Sequence, residues 1–315
     1  MTAAGTRPAG WTPAVPDVTE RCVQVEAADG VLLPGTLITP ARNQAGTRDQ
    51  AGTPDRADVC VVWLPGFGLG PDYGPYLDIG RQLAAGGVAF AAAAVRGYHG
   101  AVTAWRRDGA RLRIARAGSW YEVFADTVLD VSAWLDAARA AGYRRVVLAG
   151  HSFGAIKALY YLARGHGPVD GLVLASPSLG LKGLKPDIQE LARDLVERGA
   201  GQQLLPPGSW PGFGTDTVSA QTYHSWAEVA ELIYDPEAGW PAGLRCPVLA
   251  FYGLGQDVGA GPELTFFTGR MSAAKVSTVL IEDLGHNYAG GEEAVAATIR
   301  AWLHRSTQRT EEGNR

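Results

Sequence analysis

The sequence predicts an α/β architecture: a mostly parallel sheet with helices on both faces and a helical insertion late in the chain. Three observations lead there. From residue 58 onward, short near-continuous apolar runs alternate with helical patterns, as expected of strands buried on both faces. The alternation stops between 178 and 243, where amphipathic patterns and aromatic-rich loops replace it. Two extended runs at 21–39, RCVQVEA and VLLPGTLIT, are joined by Ala-Asp-Gly and read as an antiparallel hairpin at the sheet edge.

In chain order, residues 1–20 read as a loose Pro/Thr/Ala-rich arm. After the hairpin, QAGTRD at 44–49 repeats as QAGTPD at 50–55, with nothing apolar to bury, and reads as a disordered surface loop. Strand 58–64 (DVCVVWL) leads through the glycine-rich turn PGFGLG to a helix near 73–85. Strand 88–95 is followed by a long connection, 96–119. Ser119 and Glu122 have the spacing of a capping box and predict a helix from about 120 to 141. Strand 144–150, a helix over 153–164 and strand 171–176 complete the first core segment, 21–177. Within the insertion at 178–243, Ile188, Leu191, Leu195 and Val196 predict one helix ending at Gly199. Ser225 and Glu228 box a second, bearing Trp226, Val229, Leu232 and Ile233. Strands 247–253 and 275–282 and a helix near 291–304 form the second core segment, 244–305, with a short tail at 306–315. The aromatic-rich insertion reads as a cap over a pocket.

With 315 residues the chain can bury roughly three quarters of its unfolded surface. A net charge of −4 gives no push toward nucleic acid or a membrane surface. No apolar stretch approaches the ~20 residues of a membrane span, and the N-terminus lacks the apolar run of a signal peptide. Cys22, Cys60 and Cys246 are odd in number and embedded in strand-like runs, which points to buried free thiols and a cytoplasmic protein. No His/carboxylate cluster has metal-ligand spacing, and no cofactor is implied.

The chemistry sits in Gly150-His151-Ser152-Phe153-Gly154. Gly-x-Ser-x-Gly alone is a weak pattern, but here an apolar strand ends directly before it and a helix starts directly after it. That context is a nucleophile elbow, a sharp turn that lifts the serine Oγ above the sheet, with small flanking residues letting strand and helix approach. A serine hydroxyl needs a base within hydrogen-bond reach. Of the six histidines, His286 alone follows the last strand on a glycine-bearing loop. His99, His166, His224 and His304 fall in other loops, the cap or the last helix, and His151 lies in the elbow with its side chain directed away. Asp257 is the first carboxylate after strand 247–253; its rivals are Glu263 on the following helix and Asp283, too near His286 in sequence. The order Ser152, Asp257, His286 is that of an acyl-transfer triad on such a sheet. The oxyanion donors are the Phe153 N–H and, from the turn after strand 58–64, the Phe67 N–H. Gly66, Arg96, His151, Trp210, Tyr223 and Trp226 are the candidate substrate-lining positions.

These segments resemble the α/β-hydrolase superfamily over about 21–305. Leu64-Pro65-Gly66-Phe67-Gly68 is similar to the His-Gly-x oxyanion turn, with proline where histidine is usual. Arg96-Gly97-Tyr98-His99-Gly100 resembles the Arg-Gly-His-Gly segment after the next strand, and the three triad segments follow in order. The stretches from Gly118 to Phe124, GHSFGAIKALYY, GLVLASPS, Ala220–Tyr223 and GHNYAGGEE resemble, more narrowly, bacterial hydrolases related to siderophore esterases. The resemblance implies hydrolysis of an ester, thioester or lactone of a small to medium, partly apolar molecule through an acyl-serine. An acyltransferase or cyclising thioesterase would carry the same triad, and a non-catalytic binding protein would lack it. The connection 96–119 holds Arg96, Arg106, Arg107, Arg111, Arg113 and Arg116 against Asp108 alone. It reads either as an anion-binding rim, able to take a carrier-bound acyl group, or as a solvated loop.

Overall fold

The computed structural model describes residues 18–41, 58–210, 217–255, 260–272 and 275–312. The predicted N-terminal arm up to residue 17 and the tandem repeat at 44–55 lie outside them.

The hairpin is β1 (Val18–Glu26) and β2 (Leu32–Pro40), three residues longer at its start than the sequence suggested. Then follow β3 (Val59–Leu64), α1 (Gly74–Ala85) and β4 (Ala89–Ala93). The connection expected to be irregular instead folds into a second hairpin, β5 (Val102–Asp108) and β6 (Arg111–Ala117), turning at Gly109. Next come α2 (Thr127–Ala140), β7 (Arg145–His151), α3 (Phe153–Ala163) and β8 (Gly171–Ala175). The insertion holds α4 (Pro186–Glu197) and α5 (Ala220–Tyr234). The chain returns through β9 (Val248–Gly253), α6 (Ala260–Thr268), β10 (Val276–Ile281) and α7 (Glu292–Glu312), the last running on through the expected tail.

Eight strands form one sheet in the order β1-β2-β4-β3-β7-β8-β9-β10. β1–β2 and β2–β4 pair antiparallel and every later pair is parallel. The central strands β7, β8 and β9 are almost wholly buried, which is why their sequences lack polar alternation. In β3 the pleat sends Val61 and Trp63 toward α1 and α7, where Tyr76, Ile79, Leu83, Val295, Ile299 and Trp302 pack. Cys60, Val62 and Leu64 face the opposite layer with Phe124, Val131, Trp134, Ile156 and Tyr160. The α2, α3 layer merges with the buried side of α5, so core and insertion share one apolar mass.

Two helix starts differ from the capping-box reading. The segment after Ser119 is a short 3-10 turn, Phe124–Asp126, and α2 begins at Thr127. Glu122 does not cap; it is buried against Lys157. α5 begins at Ala220, capped by Ser219, whose Oγ accepts from the Thr222 N–H at 3.2 Å. Ser225 lies inside the helix, bonding back to the Thr222 carbonyl and accepting the Phe124 N–H at 3.1 Å. With the Ser219 N–H on the Trp120 carbonyl (2.8 Å) and the Thr222 hydroxyl on the same oxygen (2.9 Å), these bonds fasten α5 to the 120–124 segment. Among the described residues no helix is long and apolar enough to cross a membrane.

Candidate active site

The elbow forms where β7 passes directly into α3. Ser152 sits between them at φ 53°, ψ −116°, a backbone conformation that costs a side-chain-bearing residue of order 1–3 kcal/mol. The flanking glycines are there for space. A Cβ on Gly150 would lie 2.3 Å from the Gly154 carbonyl oxygen, and one on Gly154 2.4 Å from that of Leu64. The strain is over-determined by sheet bonds: the Ser152 N–H extends the ladder to the Ala175 carbonyl at 2.8 Å. Phe153 is the first residue of α3, so its N–H has no acceptor within the helix.

The turn after β3 closes on the elbow. A side chain at Gly66 would meet His151 Nδ1 at 3.2 Å and Ser152 Cβ at 3.4 Å. The next residue, Phe67, packs edge-on against Phe153 (ring centroids 5.5 Å).

His286 lies on the loop after β10, its ring 4.8 Å from that of His151. The other candidates sit elsewhere: His99 beside Asp72 at 3.4 Å, His166 stacked on Tyr161, and His224 and His304 exposed on helices. Asp257 lies outside the described residues. The chain leading to it is described: the Leu254 N–H bonds the Ile281 carbonyl at 2.9 Å and the Gly255 N–H bonds the Leu284 carbonyl at 2.9 Å. The loops after β9 and β10 therefore run side by side two residues before Asp257 and two before His286.

The substrate-lining candidates divide. Trp210 and Trp226 pack beside the Gly66-Phe67 turn, their rings 4.6 and 6.0 Å from Phe67 and 4.7 Å from each other. Trp226 is fully buried and its indole N–H has no hydrogen-bond partner among the described residues. Tyr223 packs on Trp226, but its hydroxyl accepts the Lys185 N–H at 2.8 Å, binding α5 to the start of α4.

Two positions are engaged within the protein rather than left free. The Arg96 guanidinium is taken by Asp130 (2.7 Å), Asp126 (2.9 Å) and Asp29 (3.1 Å), tying the end of β4 to α2 and the β1–β2 turn. His151 is buried and bonded at both nitrogens, Nδ1 to the Tyr76 hydroxyl at 2.6 Å and Nε2 to the His286 carbonyl at 2.8 Å. Several arginines of the 96–119 connection also have partners within the protein. Arg106 bonds the Asp29 carbonyl, Arg107 pairs with Glu26, Arg113 with Asp108, and Arg116 lies over the Tyr121 ring. The cleft between hairpin and body is lined by Asp29 and Asp126 beside Arg96, Arg106 and Arg116, and so is mixed in charge.

Burial, and then the nearby His286, hold the His151 imidazole well below its ordinary value. The groups packed on it are Tyr76, His286 and Tyr288. On acidification the unfolded chain protonates this histidine near pH 6.5 while the folded one does not, so stability is lost as pH falls below about 6.5, by at most about 1.4 kcal/mol per pH unit. Urea unfolding of wild type and His151→Gln across that range should give a shallower pH slope in the variant.

Tyr76, a partner of both Gly66 and His151, went unrecognised in the sequence. Nothing local marks a tyrosine in α1 as reaching an elbow 75 residues away.

An eight-stranded sheet of this order, with a strained serine at its central strand-to-helix turn, defines an α/β hydrolase. The profile of the serine aminopeptidase S33 family (Hydrolase_4) matches residues 55–238, more than half of the chain, and the chain belongs to that family. Solved structures share the fold. Est1E from Butyrivibrio proteoclasticus superposes with a TM-score of 0.60 at 15% identity, over 91% of this chain and 99% of that one. The Pyrococcus furiosus esterase PF2001 gives 0.57 at 17% identity, over 94% of each. A monoglyceride lipase from Saccharomyces cerevisiae gives 0.60 at 18%, over 90% and 94%. No curated protein matches the sequence.

Proposed function

We propose that the protein hydrolyses carboxylic esters of a small to medium, partly aromatic or apolar molecule through an acyl-Ser152 intermediate. The observation that carries this is Ser152 itself, held at φ 53° between β7 and α3 with the Gly66-Phe67 turn on one side and the His286 loop close by. His286 takes the Ser152 proton as Oγ attacks the ester carbonyl and returns it to the leaving alcohol; water then repeats the step in reverse. The Phe67 and Phe153 amides hold the oxyanion, each worth roughly 10²–10³ in rate. Asp257 orients the imidazole from the neighbouring loop. Two of the structural neighbours are named as an esterase and a monoglyceride lipase, which agrees with ester chemistry.

The insertion acts as a cap. Phe67, Phe153, Trp210 and Trp226 pack as one aromatic cluster beside the Gly66-Phe67 turn, which favours a partly apolar substrate. A chromogenic aryl ester mixed rapidly with the enzyme should release a stoichiometric burst of phenol before steady turnover, with the acyl group on Ser152 by mass spectrometry. Added alcohols or amines should partition that intermediate, and preferred acyl transfer over hydrolysis would identify an acyltransferase instead. Turnover with no adduct on Ser152 would overturn the reading.

A further inference from the structure

The Gly66 N–H donates to the Tyr76 hydroxyl at 3.1 Å; that hydroxyl lies 2.6 Å from His151 Nδ1; and His151 Nε2 lies 2.8 Å from the His286 carbonyl oxygen. With the His151 ring neutral, the direction of every bond follows. A carbonyl oxygen can only accept, so Nε2 carries the imidazole proton. Nδ1 is then a bare acceptor, and the Tyr76 O–H must point at it. The Tyr76 oxygen keeps its lone pairs for the Gly66 N–H. Three bonds satisfy all the groups involved, within a pocket where Tyr76 is 0% and His151 1% exposed.

The ends of this chain matter more than its middle. Gly66 precedes Phe67, His151 precedes Ser152, and the last acceptor is the main chain of His286. Resting on the serine-hydrolase reading, we infer that Tyr76 and His151 are positioning residues whose hydrogen-bonded relay sets the oxyanion turn, the nucleophile and the base in register with one another. Neither touches the ester. The relay in this direction needs His151 neutral: a proton on Nδ1 would make it a donor and take from the Tyr76 O–H its acceptor. Burial keeps it in that state, and a neutral ring adds no repulsion to the imidazolium that forms on His286, 4.8 Å away, during the reaction.

Tyr76→Phe tests this. It retains the ring packed on Trp63 (5.5 Å) and Tyr73 (4.9 Å) and deletes only the hydroxyl. The expected result is a roughly 10- to 100-fold fall in kcat with KM changed less than about twofold, because reacting groups are displaced while the pocket is not. Fluorophosphonate labelling of Ser152 should slow in proportion, and the circular dichroism spectrum should match wild type. In 15N-histidine NMR of the wild type at neutral pH, His151 should carry its proton on Nε2, and its Nδ1 resonance should move in Tyr76→Phe. A kcat within twofold of wild type, or a His151 proton on Nδ1, would sink the proposal. If the wild-type protein neither turns over esters nor labels at Ser152, the hydrolase reading fails instead, while the NMR still reports whether the relay exists.

Discussion

On the proposed mechanism Ser152→Ala removes the atom that takes the acyl group, and turnover of a chromogenic ester is expected to fall by about 10⁴- to 10⁶-fold, as for a triad acting as a unit. The variant should not label with a fluorophosphonate at any pH. It should nonetheless fold, because alanine retains the Cβ and the bond from residue 152 to the Ala175 carbonyl. Labelling of the alanine variant at the wild-type rate would place the nucleophile elsewhere.

The second large effect concerns stability. Lys157, on α3 five residues past the nucleophile, is buried with its ammonium on Glu122 and within 6 Å of the Phe124 and Phe153 ring centres, at 5.8 and 5.7 Å. Glu122 is fully enclosed, and its second carboxylate oxygen has no partner among the described residues. Burial drives this carboxyl above the usual range and Lys157 pulls it back. Lys157→Met leaves the carboxyl without its counter-charge and is expected to destabilise the fold by about 3–5 kcal/mol in urea unfolding. The loss should deepen as pH rises past the ordinary carboxylate value, since the folded form then favours the protonated acid more than the unfolded chain does. The double variant Lys157→Met/Glu122→Leu should recover most of it. A double variant as unstable as the single one would show that Lys157 contributes by packing, not by charge.

The readable parts of this protein share one property: their neighbours in space are their neighbours in sequence, or they are buried on every side. β3, β7, β8 and β9 have no exposed face, and so read as unbroken apolar runs whatever lies beside them. The elbow was legible because strand, turn and helix adjoin. The hairpin β5–β6 was missed although Asp108-Gly109 is a turn signal, because arginines occupy both of its faces. Arg106 reaches the body of the protein at the Asp29 carbonyl, while the paired Trp105 and Ile114 stand in solvent at 50% and 66% exposure, reversing the expected pattern. The helix starts misread because Glu122 serves a lysine 35 residues away rather than its own helix. The Ser219 cap is followed at the third helical position by Thr222, not by the glutamate that marks a box. Arg96 and His151 were assigned to substrate because charge and proximity are visible in a sequence, whereas Asp29, Asp126, Asp130 and Tyr76, which engage them, converge only in the fold.

The left-handed backbone at Ser152 has a consequence for how this chain trades robustness against activity. Glycine adopts φ 53°, ψ −116° with little penalty, so the sequence most comfortable at this turn is one with no side chain, and hence no nucleophile. On the proposed reading, activity and stability pull in opposite directions at this one turn, and the rest of the sheet supplies the rigidity that keeps the serine there.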